Sequence, residues 1–135
     1  MALVVFDFGG QYAHLIANRV RRCKAYSEIV SNDISLEELR QKNPTGIIFS
    51  GGPHSVFEEN SPQVDPQILE MGIPILGICY GHQLIAKILG GTVQSGDIHE
   101  FGKSNFSPIF SKSIYRIFVR SKLITRSSVL SFQAN

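Results

Sequence analysis

Residues 73–83 read "IPILGICYGHQ". A short apolar run closes at Gly77, Cys79 follows, and Gly81 opens a helical pattern that continues through "HQLIAKI" to Gly90 and Gly91. The run is too short for a helix and is bounded by glycine, so it predicts a buried strand that turns at once into a helix. Glycines two positions before and two after Cys79 match the nucleophile-elbow template, with cysteine in place of serine. Such a turn forces its apical residue into strained backbone, and the flanking glycines remove side chains that would collide there. Cys79 is then expected at a helix N-terminus, where free N–H groups and the helix dipole favour the thiolate. The alternative is a packed thiol acting as a small hydrophobe at a strand end, and the paired glycines favour the elbow over it.

Outward from this stretch the same alternation repeats. Upstream, "ALVVFDF" (2–8) is a short apolar run ending at Gly9-Gly10, and "YAHLIANRVRR" places Tyr12, Leu15, Ile16, Arg19 and Val20 at helical spacing. "YSEIVS" (26–31) predicts a second strand. "SLEELRQK" (35–42) opens with Ser35 and Glu38 in capping-box spacing and stops before Pro44. "TGIIFSGG" (45–52) is a third strand closed by glycines, and Asp65 with Pro66 signals the start of a short helix in "DPQILEMG". "IPILGIC" is the fourth strand and "TVQSG" (92–96) a fifth. Strands separated by helices imply right-handed crossovers: an α/β, flavodoxin-like parallel sheet with helices on both faces and an incomplete C-terminal part. In such a sheet ligands sit at the carboxyl ends of the strands. There the loops "DFGGQY" (7–12), "SGGPHS" (50–55) and "GICYGHQ" (77–83) are expected to converge.

The 135 residues, 43% of them hydrophobic, suit one domain with a single core. No apolar stretch is long enough to span a bilayer, and "MALVVFDFGG" lacks a secretory leader, so the expected location is cytoplasmic. Cys23 and Cys79 are accordingly expected as free thiols. Charge divides the chain unevenly. The first hundred residues hold seven Lys and Arg against eleven Asp and Glu, whereas the last thirty-five hold six and none. Residues 1–103 therefore form the expected domain and 104–135 a divergent basic, serine-rich tail. Beyond "YRIFVR" the tail lacks the aromatic and basic interleaving of a nucleic-acid or membrane segment, so neither partner is expected. "SIYRIFVRSKLIT" (113–125) has the β-branched and aromatic content of a strand but imperfect alternation, and the tail is expected to pack poorly on the domain.

Acyl transfer needs donors for an oxyanion as well as a nucleophile. The N–H of Tyr80, immediately after Cys79, is one in the elbow geometry. Gly51-Gly52 suits a second, since no Cβ blocks close approach, although the same pair equally suits a tight turn after the third strand. "DFG" at 7–9 lacks any accompanying kinase loop. "FGGQY" lacks the Lys-Ser/Thr ending of a phosphate loop. No His, Cys and Asp spacing suggests a metal.

Taken together, "VFDFGGQYAHLIANRV" (5–20), "GIIFSGGPHSV" (46–56), "GIPILGICYGHQLIAKILGG" (72–91) and "GDIHEFGKS" (96–104) resemble the amidotransferase domain of glutamine-hydrolysing GMP synthases, a class I, triad-type glutamine amidotransferase. The match covers about residues 3–103 and implies a truncated domain. The resemblance implies that Cys79 attacks the side-chain amide of glutamine. Gly52 and Tyr80 N–H groups would hold the oxyanion and Gln83 the substrate. It implies no cofactor in this chain, with ATP and magnesium needed only by an absent synthetase domain, and a separate ATP-pyrophosphatase synthetase chain as partner. Family members carry a later "HPE"-type segment supplying a general-base histidine and its orienting glutamate. Here no His, Asp or Glu follows Glu100. His14, His54, His82 and His99 lie in other contexts, and His82 and His54 read as packed or surface side chains. The chain is then either a glutaminase site lacking its base, feeding xanthosine monophosphate amination, or a catalytically silent fragment or binding module.

Overall fold

The structure, a computed structural model, describes residues 2–95, 117–120 and 128–131. In β1 (Ala2–Asp7) successive side chains point to opposite faces. Val4 and Phe6 enter one apolar cluster and Val5 the other. β2 (Tyr26–Ser31), β3 (Gly46–Phe49), β4 (Ile75–Ile78) and β6 (Ile117–Arg120) join it in one parallel sheet of order β2-β1-β3-β4-β6. Runs such as "GIIF", buried at every residue of β3, are what a sheet covered on both faces requires.

α1 (Tyr12–Arg22) covers one face, where its Ala13 and Ala17 meet Val5 and Ile48. α2 (Leu36–Gln41), a 3-10 helix (Pro66–Glu70) and α3 (Tyr80–Ile88) cover the other, with Leu39, Ile68, Leu69, Leu84 and Ile85 against Phe6, Ile47, Phe49 and Ile75. α2 starts with the expected capping box: the Ser35 hydroxyl accepts the Glu38 N–H at 3.2 Å, and the Glu38 carboxylate accepts the Ser35 N–H at 3.2 Å. Asp65 accepts the Gln67 N–H at 2.9 Å, but the turn it opens is 3-10 rather than α-helical. From β1 the chain crosses to β2 on one side, and from β3 to β4 on the other. The carboxyl ends of β1 and β3 therefore flank the topological switch point.

The helix expected at α1 is present, but its spacing did not show which face is buried, and two expectations about the later strands change. Tyr12 and Leu15 are exposed, and the buried stripe of α1 is alanine, because the helix lies close enough to the sheet for the Ala17 carbonyl to accept the Ser27 hydroxyl at 3.0 Å. β5 (Thr92–Ser95) does not join the parallel sheet. It pairs antiparallel with β7 (Ser128–Ser131) in a separate two-stranded sheet, since β6 holds the place beside β4. Finally, both β6 and β7 come from the basic tail. The "IFVR" stretch pairs with β4 in the register Ile75 with Ile117 to Ile78 with Arg120, as its β-branched and aromatic content permits. The rest of the tail and His99 lie outside the described residues. Among the described residues no helix is long and apolar enough to cross a membrane.

Candidate active site

Cys79 stands between β4 and α3 with φ 50° and ψ −112°. That backbone conformation is unusual for a residue bearing a Cβ, and persists only where the surroundings impose it. The flanking glycines show how. A Cβ at Gly77 would lie 2.7 Å from Ile85 Cδ1 and 2.9 Å from the His82 Cα. One at Gly81 would lie 2.7 Å from the Phe49 carbonyl carbon. The Gly81 N–H donates to the Ser50 carbonyl at 3.1 Å, so the first turn of α3 is tied to the end of β3. The Gln83 N–H donates to the Cys79 carbonyl at 3.1 Å, which begins the helix at the cysteine.

The three glycine-bearing loops meet here. A Cβ at Gly51 would sit 3.3 Å from the Cys79 Cβ and 3.8 Å from its Sγ, so the third-strand loop reaches the thiol only because it has no side chain there. A Cβ at Gly52 would come 2.6 Å from the Phe8 carbonyl oxygen. Gly9 and Gly10, both at positive φ, pass beneath Pro53, and the Gly9 N–H donates to Asp7 Oδ1 at 2.9 Å. Below the loops Phe8 packs on Phe49 and Tyr80 with ring centroids 5.5 and 5.3 Å apart. The Tyr80 hydroxyl donates to the Pro62 carbonyl. As the first residue of α3, Tyr80 directs its backbone N–H out of the helix start, where no intrahelical acceptor exists. Gln83 is half-buried one turn further on.

Electrostatics depart from the expectation in one respect. The Cys79 thiol is half-buried, and desolvation pushes its pKa up. This opposes the lowering expected from the helix N-terminus, because both act on the same proton and removal of water disfavours the anion. Neither cysteine is in a disulfide, and Cys23, at the C-cap of α1, is exposed. His82 is buried, and burial drives its pKa down to about 4, so it is neutral at pH 7. Its backbone packs on Gly77, and its burial agrees with the expected packed side chain. His14 is exposed on α1. His54 is the exception. Its Nδ1–H donates to Glu58 Oε2 at 3.1 Å, beside the glycine loop. Both side chains are solvent-exposed, which for His54 agrees with a surface position, and their separation of four residues is what allows them to meet. Among the described residues no group of His, Cys, Asp and Glu is placed to hold a metal ion.

Comparison with known proteins agrees with this geometry. The family model for glutamine amidotransferase class-I matches residues 4–126, a span that includes β6. The chain is 55% identical over 114 residues to the GMP synthase [glutamine-hydrolyzing] of Caldicellulosiruptor saccharolyticus, covering 81% of this chain and 22% of that protein. It is 53% identical over 113 residues to the protein of the same name from Clostridium novyi, covering 80% and 22%. The chain thus spans about a fifth of the length of these curated relatives. A crystal structure described as that of a GMP synthase subunit from Thermoplasma acidophilum superimposes with a TM-score of 0.58 at 32% identity, over 76% of this chain and 51% of that one. By the extent of the family match, by these identities and by the cysteine turn on which the sheet converges, the chain belongs to the class-I glutamine amidotransferase family.

Proposed function

We propose that Cys79 hydrolyses the side-chain amide of glutamine through a thioester, supplying ammonia for the amination of xanthosine monophosphate to GMP. The sulfur attacks the amide carbon, and the oxygen of the tetrahedral intermediate takes hydrogen bonds from the N–H groups of Gly52 and Tyr80. The proton given up by the Cys79 thiol ends on the nitrogen, and collapse then breaks the C–N bond and releases ammonia. Water then attacks the thioester and releases glutamate. Gln83, half-buried one turn from the nucleophile, helps hold the substrate. Ammonia passes to a synthetase that uses ATP and magnesium, as a separate chain or as part of a longer protein. The names of the relatives support this last step, and four-fifths of their length lies beyond the span matched here.

The observation that carries the reading is the backbone of Cys79, held at φ 50° between two glycines that cannot bear a Cβ while Gly51 touches its side chain. Strain of this kind costs stability and is retained where a side chain must be presented in one direction. Saturating glutamine is expected to slow alkylation of Cys79 and to leave Cys23 untouched, with asparagine giving no protection. Equal alkylation of Cys79 with and without glutamine would sink the assignment.

A further inference from the structure

We infer that Glu58 and His54 form a clamp that positions the Gly51-Gly52 loop against the Gly9-Gly10 loop, so that the Gly52 N–H is aimed at the oxyanion. The inference rests on the glutaminase reading above and adds two residues to it. Nothing after Pro53 is in a regular element until Pro66, so something other than a strand or helix must fix the far side of the glycine loop.

Glu58 does so with both oxygens. Oε1 accepts the Ser55 N–H at 3.0 Å and Oε2 accepts Nδ1–H of His54 at 3.1 Å. The Glu58 N–H in turn donates to the Ser55 carbonyl at 3.0 Å, which closes the segment on itself. Its anchor to the rest of the molecule is Val56, which is buried and whose carbonyl accepts the Lys87 ammonium of α3 at 3.2 Å. With the ring held at Nδ1, the opposite edge of His54 faces the β1 loop: a Cβ at Gly9 would lie 4.0 Å from Nε2 and 3.6 Å from Pro53 Cδ. The Pro53–His54 pair therefore rests on Gly9 while Gly52, one residue back, is pressed on the Phe8 carbonyl. Both partners of the clamp are solvent-exposed on one side, so substituting them leaves the apolar core intact.

The roles of the two nitrogens are unequal in this arrangement. Nδ1 makes the hydrogen bond and Nε2 only packs. An asparagine, whose amide nitrogen can take the place of Nδ1, should therefore preserve the clamp, whereas alanine should not. That pattern separates a positioning role from a proton-transfer role, which would need Nε2.

The test compares two reagents on Cys79 in the full chain, followed by peptide mapping with Cys23 as internal control. One is a chloromethyl ketone built on the glutamine skeleton, which forms the C–S bond and expels chloride through an oxyanion-bearing adduct. The other is iodoacetamide, which displaces iodide with no carbonyl addition. Glu58→Gln and His54→Ala are expected to slow the chloroketone by about tenfold or more, while iodoacetamide changes by less than about twofold and His54→Asn restores the chloroketone rate. Equal slowing of both reagents, no slowing of either, or failure of His54→Asn to restore the rate overturns the clamp. If the wild-type chloroketone shows no preference for Cys79 over Cys23, the glutaminase reading fails first, and the clamp with it.

Discussion

Replacing Gly81 by alanine places a methyl group against the Phe49 backbone, where neither partner can rotate away. The expected loss is about 2 kcal/mol, seen as a lower Tm, because overpacking against fixed atoms forces the helix to shift. Gly72, with nothing within 4 Å of its Cβ direction but a φ of 72°, is the contrast: alanine there is strained by backbone alone. His82 supplies a pH-dependent term. Its folded pKa of about 4 lies below the ordinary 6.5, so the unfolded chain binds the proton more readily. Stability from this group is complete above pH 6.5 and is lost as pH falls toward 4, by about 2 kcal/mol in all. His82→Asn is expected to flatten that window in denaturant titrations at successive pH values. The cysteine turn itself was legible in the sequence because it rests on residue identity at fixed offsets: Gly77, Cys79 and Gly81. The direction of the thiol's pKa was not, since it depends on how much water the folded loops exclude.

At the scale of elements, α1 shows where a periodic pattern misleads. Tyr12, Leu15, Ile16 and Val20 share a helical repeat, yet the face against the sheet is Ala13, Ile16, Ala17 and Val20. Two stripes of similar spacing overlap, and hydropathy favours the bulkier one. Close approach, read from the Ala17 to Ser27 hydrogen bond, favours the smaller. Leu15→Ala is therefore expected to change stability by no more than about 0.5 kcal/mol, whereas Ala17→Leu is expected to cost about 2 kcal/mol or more. Denaturation midpoints of the two variants check this, and a costly Leu15→Ala would restore the bulkier face. The cap of α2 was legible for the opposite reason: Ser35 and Glu38 interact locally, so their spacing alone fixes the geometry. β5 was legible as a strand but not as a partner of β7, because pairing across thirty-odd residues leaves no local trace.

For the whole molecule, a parallel sheet with helices on both faces followed from the alternation of elements, whereas the strand order and the strand beside β4 did not. β6 comes from sequence whose charge and serine content set it apart, and only its β-branched core "IFV" hinted at the pairing. Turnover is a property of this scale, because it requires a proton donor for the departing ammonia as well as the nucleophile. Residues 101–135 contain no His, Asp or Glu, and His82 is neutral and packed. Glutamate release by the 135-residue chain is thus expected to run about 10²- to 10⁴-fold below that of a full-length relative, with Cys79→Ala as the blank. Rates comparable with the relative's would mean that a surrogate donor operates. The parallel pairing of β4 with β6 also has a consequence for synthesis. Residues 79–116 must leave the ribosome before Ile117 can reach Ile75, whereas β1 to β4 can assemble as soon as they emerge. During that interval the edge of β4 is an open template beside the Cys79 turn, so the nascent chain passes through its most association-prone state late, when most of its core is already in place.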